Sequence, residues 1–324
     1  MASAPAEDAA RLASVFFLAG ATATGKSDVA LALARECGGE IVGADAFQVY
    51  EGLDLLSAKP GREALAAVPH HLIGVVPLSE AFNVARYREM ACAAIDAIRA
   101  RGRLPIVTGG TGLYLRALLR GLAPLPLPDP LLRLRLEATP LPELVAELET
   151  LDPACAAGID RRNPRRVVRA LEVCLLTGRP FSSFRTEWER EPGSSGIHGV
   201  VLTRDRTALH QRIALRTRRM FRQGVVEEVR QTPEPGETAR QVIGWREIGR
   251  LICGEISQAA CEEAITQATR QYARRQATWF RRETLLTPVP VAEEATPEAV
   301  AAALRPYLPG AKVPPGVPAV RRSG

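Results

Sequence analysis

The segment from residue 20 to residue 27 constrains the fold more than any other part of this 324-residue chain. It reads GATATGKS and matches the pattern G-x-x-x-x-G-K-[ST]. The apolar residues 15–18 before it predict a buried strand, and residues 27–36 after it predict a helix that Gly38 and Gly39 end. A strand, this loop and a helix in that order form an anion pocket from backbone N–H groups and a helix N-terminus. We therefore predict that a phosphorylated ligand binds here.

The side chains of this loop suggest separate roles. Lys26 would bridge terminal phosphate oxygens, and the Ser27 hydroxyl would ligate a magnesium ion (Mg²⁺). The motif does not identify which phosphorylated compound binds. The predicted phosphate-binding residues are Gly20, Thr22, Ala23, Thr24, Gly25, Lys26 and Ser27.

Strands and helices alternate in the first third of the chain, which predicts a parallel sheet with helices on both faces. Further strands are predicted at residues 41–44, 104–107, 199–203 and 288–291, whereas residues 131–177 show only helical periodicity. We predict an α/β fold with a P-loop NTPase-like parallel-sheet core at residues 13–121 and 196–305. Residues 122–195 would form a helical insertion domain, and residues 1–12 and 306–324 would be disordered tails.

Composition excludes several classes of protein. No apolar run reaches the roughly 20 residues of a membrane span, and the N-terminus lacks a signal core, so we expect a cytoplasmic protein with no membrane partner. The six cysteines include no C-x-x-C pair and predict neither a zinc site nor a disulfide framework. The net charge of +6 favours a polyanionic partner. Lysine is rare among the 42 basic residues, yet Lys26 and Lys59 both lie within motifs.

Asp45 follows the second predicted strand directly. Because the carboxyl ends of parallel strands face the ligand crevice, its carboxylate is expected near the bound phosphates. Three roles are open at this point: a general base acting on an acceptor, an outer-shell Mg²⁺ ligand, or a helix N-cap.

Six further stretches lie in a fixed order along the chain. They read DAFQVYEGLDLLSAKP (45–60), PHHLIGVV (69–76), TGGTGLYLRALLRG (108–121), NPRRVVRALEVCLLTG (163–178), QVIGWRE (241–247) and TRQYARRQATWFRR (269–282). Together they resemble the tRNA dimethylallyltransferases, also called tRNA isopentenyltransferases, from about residue 14 to residue 283. This family has a P-loop core with a helical insertion.

The resemblance implies a reaction and its participants. Dimethylallyl diphosphate would occupy the P-loop with Mg²⁺, and the acceptor would be N6 of the adenosine 3′-adjacent to the anticodon, in tRNAs reading codons that begin with U. Asp45 would be the base that removes the N6 proton, and Thr111 would touch the target nucleotide while also being suited to cap a helix. Arg216 would stabilise the departing diphosphate, although the flanking arginines are equally typical of a solvated basic helix. The family suggests a monomer.

The resemblance also implies an extended contact with the tRNA anticodon stem-loop. Arg165 and Arg169 are four residues apart and share one helix face, although a charge run is often only a solvated surface. Tyr272, Arg275, Trp279 and Arg282 form a stripe on a second helix, whose aromatic members are alternatively core residues. The implied tRNA contacts are Asp45, Ala46, Phe47, Gln48, Thr111, Arg133, Arg165, Arg166, Val167, Val168, Arg169, Gln241, Val242, Ile243, Gly244, Trp245, Arg246, Arg274, Arg275, Gln276, Ala277, Thr278, Trp279, Phe280 and Arg281.

The chain departs from the family pattern at several positions. Ala46 stands where serine is usual, Leu56 where glycine is usual, and Gly74 where aspartate is common. None of these departures removes a residue assigned to the chemistry.

Three other functions compete with this prediction. A small-molecule kinase would use ATP at the same loop but leaves the two arginine-rich helices unexplained. A relative that prenylates free AMP would need no insertion that grips tRNA. A non-catalytic RNA-binding protein leaves the P-loop and Asp45 unexplained.

Overall fold

The central sheet has six parallel strands in the order β3-β2-β4-β1-β5-β6. The computed structural model of the chain describes residues 5–123, 125–184 and 196–311. The five predicted strands are confirmed within two residues, whereas β3 has only two residues and is too short to show a period. The strands are β1 Phe16–Gly20, β2 Glu40–Ala44, β3 His70–His71, β4 Pro105–Gly109, β5 His198–Thr203 and β6 Thr287–Pro290.

Helices cover both faces of this sheet. Residues alternate between the faces along β1, so that Phe17 and Ala19 join one apolar cluster while Phe16 and Leu18 join the other. The α-helices are α1 Pro5–Leu12, α2 Lys26–Cys37, α3 Arg62–Ala67, α4 Val84–Ala100, α5 Gly112–Arg120, α6 Pro130–Ala138, α7 Leu141–Leu151, α8 Pro153–Gly158, α9 Pro164–Thr177, α10 Arg206–Arg222, α11 Val225–Gln231, α12 Trp245–Ile252, α13 Gln258–Phe280 and α14 Pro297–Leu304.

The chain divides into two compact units. One comprises residues 1–119 and 195–324, which contain the sheet, and the other comprises residues 120–194. Three helices of the second unit begin with an Asx-Pro pair. Asp129, Asp152 and Asn163 each accept a hydrogen bond from a backbone N–H of the helix that follows, and proline takes the first helical position. These helices enclose a core of their own around Leu148 and Leu171.

The predicted tails are partly wrong. Residues 5–12 form α1 instead of a disordered segment, because Arg11 donates two hydrogen bonds of 2.9 and 2.8 Å to Asp96 on α4. At the other end, Tyr307 and Leu308 pack against the core, so residues 306–308 are ordered. Residues 1–4 and 312–324 lie outside the described residues. In the described ranges, no helix combines the length and the apolarity of a membrane span.

Candidate active site

The loop between β1 and α2 forms one wall of a cleft in the first unit. Gly25 has a φ of 95°, a left-handed conformation that glycine adopts without strain, and α2 begins at the next residue. Two arginines bind loop carbonyls from outside: Arg212 Nε donates to the Ala23 oxygen at 2.9 Å, and Arg204 Nε to the Thr24 oxygen at 3.3 Å. The loop is therefore fixed before any ligand arrives. Its other predicted phosphate-binding residues, Gly20 and Thr24, are buried, whereas Ser27 is exposed.

Two half-buried cations face this cleft. The Arg216 Nη1 donates to the Thr22 hydroxyl at 2.8 Å, and Lys26 Nζ donates to the Ala21 carbonyl at 3.3 Å. Burial lowers the pKa of Lys26 to about 8, an effect that nearby Asp45 opposes and Arg216 reinforces. Burial also lowers the pKa of Arg216, again opposed by Asp45. Cations held at this cost are typical of a site that receives an anion.

Asp45 lies at the carboxyl end of β2 and lines the same cleft. Its Oδ1 accepts hydrogen bonds from the N–H groups of Phe47 at 2.9 Å and Gln48 at 3.3 Å. These bonds fix the carboxylate in a turn rather than at a helix start, which removes the N-cap alternative. Within the described part of the chain, Oδ2 accepts no hydrogen bond and is free to accept a proton from a substrate.

Thr111 lies beside this turn, between β4 and α5. Its hydroxyl accepts a hydrogen bond from the N–H of Ala46 at 3.0 Å, and its own N–H donates to the Ala44 carbonyl at 3.2 Å. The hydroxyl therefore braces the turn that carries Asp45 instead of capping α5. The side chain of Tyr272 also lies near Thr111.

The opposite wall of the cleft is apolar. Glu228 holds part of it, since its carboxylate accepts the N–H groups of Leu55 at 2.8 Å and Leu56 at 2.9 Å. The family departure at Leu56 places a side chain in this wall, where a Cβ on Gly244 would meet it at 2.7 Å. Gly244 has a φ of 103°, so glycine satisfies both the conformation and the space. The apolar lining residues are Phe47, Leu56, Met220, Val242, Ile243 and Ile265.

Oxygen ligands near the P-loop are few. Among the described residues, no group of three or more His, Cys, Asp or Glu side chains could hold a metal ion. Ser27, Asp28 and Asp45 nevertheless line the cleft beside the loop. This donor set fits Mg²⁺, which keeps several waters and is usually bound through one or two protein oxygens together with substrate phosphates.

Comparisons with known proteins agree with this site. A family model described as IPP transferase matches residues 48–283. The chain belongs to this family. A tRNA dimethylallyltransferase of Deinococcus radiodurans is 45% identical over 298 residues, 89% of this chain and 94% of the relative. The tRNA dimethylallyltransferase 1 of Citrifermentans bemidjiense is 42% identical over 281 residues, 86% of this chain and 92% of the relative. The resemblance seen in the sequence is confirmed.

Solved structures give the same result. The tRNA isopentenylpyrophosphate transferase of Bacillus halodurans is 31% identical, with a TM-score of 0.64, covering 90% of this chain and 94% of that one. A eukaryotic dimethylallyltransferase described as acting on tRNA is 28% identical, with a TM-score of 0.71, covering 85% and 73% of the two chains. The predicted α/β fold with a P-loop NTPase-like core is confirmed.

In this IPP transferase family member, the predicted tRNA contacts of the first unit differ in exposure. The side chains of Val242, Gln276 and Phe280 are at least 94% buried and cannot present themselves to RNA, so these three predictions are wrong for the side chains. Ala46, Phe47, Gln48, Thr111, Ile243, Trp245, Thr278 and Trp279 are half-buried. The exposed residues are Gln241, Arg246, Arg274, Arg275, Ala277 and Arg281.

The arginine-rich start of α9 shows a similar division within the second unit. Arg165 and Arg166 are exposed, whereas Val167 and Val168 pack into the core of the insertion. The predicted RNA contacts of these two valine side chains are therefore wrong, because the helix turns them inward. Glu172, on the same helix, determines the environment of the two remaining arginines.

Glu172 is completely buried, and both Arg133 and Arg169 bind it. Arg133 Nη2 and Arg169 Nη1 lie 2.7 and 2.6 Å from its Oε2, and Arg169 also donates to the Pro126 carbonyl at 2.8 Å. The two guanidinium groups thus neutralise an internal carboxylate. Their role as RNA ligands stays a prediction, and the structure gives them a second role beside Glu172.

Sequence reasoning missed the supporting residues of the site. Arg204 and Arg212 hold the P-loop from outside, and Glu228 holds the apolar wall. Glu228 belongs to a Gly-x-x-Glu-Glu-Val stretch at residues 224–229, just after α10, the helix that contains Arg216. This stretch was a sequence signal that could have identified Glu228. Arg204 lies between β5 and α10 in no recognisable motif.

Proposed function

We propose that this protein transfers a dimethylallyl group from dimethylallyl diphosphate to N6 of an adenosine in tRNA. One observation carries the proposal: the Asp45 carboxylate lines the same cleft as the half-buried cations Lys26 and Arg216 and a set of apolar side chains. The two cations suit a diphosphate, and the apolar side chains suit a five-carbon group. The carboxylate suits an acceptor that must lose a proton.

The diphosphate binds at the P-loop and the N-terminus of α2. Lys26 and Arg216 bind its oxygens, and Ser27 with the neighbouring carboxylates would hold Mg²⁺, which neutralises part of the diphosphate charge when bound. As the bond between the dimethylallyl C1 and oxygen breaks, the electron pair leaves with diphosphate. The cations then face a growing negative charge, which stabilises the transition state more than the ground state.

The acceptor nitrogen forms the new bond to C1. The N6 lone pair is delocalised into the adenine ring, so N6 becomes an effective nucleophile only if its proton is removed as the C–N bond forms. Asp45 takes this proton at Oδ2, since Oδ1 is occupied by two backbone N–H groups. Thr111 keeps the Asp45 turn at a fixed distance from the P-loop and lies where the target nucleotide enters.

The exposed arginines bind the tRNA anticodon stem-loop. Arg165 and Arg166 on α9, Arg274 and Arg275 on α13, and Arg281 just after α13 are suited to phosphate contacts. The target adenosine is the one 3′-adjacent to the anticodon, in tRNAs reading codons that begin with U. It must leave the loop stack to reach Asp45, at a cost of a few kcal/mol that the loop contacts offset. The enzyme acts as a monomer in the cytoplasm, where its tRNA substrate is found.

Mass spectrometry of nucleosides tests this proposal. The wild-type protein is incubated with unmodified tRNA, dimethylallyl diphosphate and Mg²⁺, with the Asp45→Asn variant as control. We expect N6-dimethylallyladenosine from the wild type and almost none from the variant. Transfer of phosphate from ATP would support the kinase instead, and prenylation of free AMP in place of tRNA would support the AMP-prenylating relative.

A further inference from the structure

One face of α13 lies against the Gly-Gly-Thr-Gly turn that follows β4. The Tyr272 side chain lies near Thr111, Gln276 donates a hydrogen bond to the Gly110 carbonyl, and the Trp279 ring covers Gly112 so closely that a Cβ there would lie 2.3 Å from it. Since residues four and three positions apart share a helix face, these three side chains form one stripe. The exposed Arg274 lies off this stripe, whereas the exposed Arg275 borders it and lies over the Tyr272 ring.

The Gln276 side chain connects the P-loop to the turn that follows β4. Its Oε1 accepts the N–H of Thr22 in the P-loop at 2.8 Å, and its Nε2 donates to the Gly110 carbonyl at 2.8 Å. The side chain is only 5% exposed, which excludes a direct contact with RNA. The bonds join segments that lie 254 and 166 residues away in sequence.

Each end of this bridge continues to a group with a role in the reaction. Thr22 also binds Arg216 through its hydroxyl, so the first end reaches the diphosphate site. Gly110 precedes Thr111, whose hydroxyl holds the turn of Asp45, so the second end reaches the acceptor base. A Cβ on Gly110 would lie 2.3 Å from Gln276 Nε2, so glycine is needed for the bridge to form.

We infer that Gln276 is a positioning residue that sets the distance between the diphosphate cradle and the acceptor base. This inference rests on the proposed transfer reaction. The bridge requires an acceptor and a donor on one side chain, which an amide supplies and a carboxylate or an alkyl group does not. A shift of about 1 Å between reacting groups is enough to cost on the order of 10²-fold in rate.

Steady-state kinetics of Gln276→Leu and Gln276→Glu test the inference. Leucine removes both hydrogen bonds, whereas glutamate keeps the acceptor for Thr22 and loses the donor to Gly110. We expect kcat to fall roughly 10- to 100-fold in both variants. The dissociation constant for an anticodon stem-loop should stay within about twofold, as for a buried group that makes no RNA contact. Gln271→Leu and Gln271→Glu are the matched controls, because Gln271 is exposed on the same helix.

A double-mutant cycle with Gly110→Ala separates positioning from general destabilisation. If Gln276 acts through this turn, the losses in kcat from Gly110→Ala and Gln276→Leu do not multiply in the double variant. Multiplying losses would overturn the inference. It would also fall if kcat were unchanged while stem-loop binding weakened, since Gln276 would then be an RNA contact, or if Gln271→Leu lost as much activity.

Binding of inorganic diphosphate separates this inference from the proposed function. If the wild-type protein made no prenylated adenosine, the proposed function would fail. Gln276→Leu should even then weaken diphosphate binding, because the P-loop loses its anchor at Thr22, while Gln276→Glu and Gln271→Leu should weaken it less. Equal diphosphate binding in all four proteins would contradict the bridge itself.

Discussion

Two groups of enclosed charge in this molecule differ in how they are neutralised. In the cleft, Lys26 and Arg216 are half-buried and form no ion pair with a carboxylate within the described part of the chain. In the insertion, Arg133 and Arg169 both bind the buried Glu172. The positive charge of the first group is available to an anionic ligand, whereas that of the second group is neutralised by a carboxylate of the protein itself. Arginine-rich sequence therefore indicates function only where the structure leaves the charge unpaired.

This difference separates activity from stability. A charge changed in the cleft should alter turnover or ligand binding more than folding, because no internal ion pair is lost. A charge changed around Glu172 should destabilise the insertion, since an ionised carboxylate without its hydrogen-bond donors is costly to bury.

The largest expected effect is at Asp45. Asp45→Asn keeps the shape of the side chain but cannot accept the N6 proton, so turnover should fall roughly 10²-fold or more. Donor and tRNA binding should change little. Single-turnover kinetics with separately measured dissociation constants tests this expectation. Near-normal turnover would remove Asp45 from the role of base.

The next effect concerns stability. Arg169→Ala removes hydrogen bonds to Glu172 and to the Pro126 carbonyl, which should destabilise the insertion by about 1–3 kcal/mol. Arg166→Ala is the matched control, because this neighbouring arginine is exposed and its loss should change stability by less than about 0.5 kcal/mol. Denaturant unfolding of both variants decides the matter. If the two variants had equal free energies of unfolding, the ion pair between Arg169 and Glu172 would not stabilise the insertion.

The pH dependence of donor use follows from Lys26. Its pKa of about 8 in the free protein means that the ammonium loses its proton, and its attraction for diphosphate, as pH rises through 8. Since kcat/KM reports the free enzyme, this constant for the donor should fall up to about tenfold per pH unit above that value. Lys26→Arg stays charged and should lack this decline, whatever its absolute activity. The same decline in Lys26→Arg would assign the pH dependence to another group.

The sequence predicted the fold and the residues that line the cleft better than the residues that hold the cleft in place. The P-loop, Asp45 and Arg216 lie in short motifs whose chemistry is visible in the residue types. The family resemblance assigned Gln276 to RNA, but helix geometry turns it inward against Thr22 and Gly110. Partners more than 150 residues away cannot be found from periodicity.

The N-terminal helix and the shortest strand were not predicted from the sequence, for a different reason. Helix α1 looked like a small acidic tail, and its order depends on Arg11 meeting Asp96 across 85 residues. Strand β3 has two residues and takes its structure from pairing with β2. In both cases the local sequence is a weak signal and a tertiary contact decides the structure.

The smallest effect concerns the exposed arginines. Each phosphate contact releases counterions, so the logarithm of the binding constant falls with the logarithm of salt concentration in proportion to the number of contacts. Arg274→Ala with Arg275→Ala should weaken binding of an anticodon stem-loop and lower the slope by about 1 per lost contact. Arg165→Ala with Arg166→Ala makes the equivalent test on α9 and avoids Arg169, whose loss would disturb the insertion.

Titration of each pair at several salt concentrations, with donor KM measured in parallel, compares the exposed arginines of the two helices directly. The donor KM should remain unchanged, because none of these side chains lines the cleft. Arg275 also lies over the Tyr272 ring, 5.7 Å from its centroid, so Arg274→Ala should be measured singly to separate a phosphate contact from this packing. An unchanged slope in both pairs would mean that these arginines only solvate their helices, and the tRNA would have to be placed on another surface.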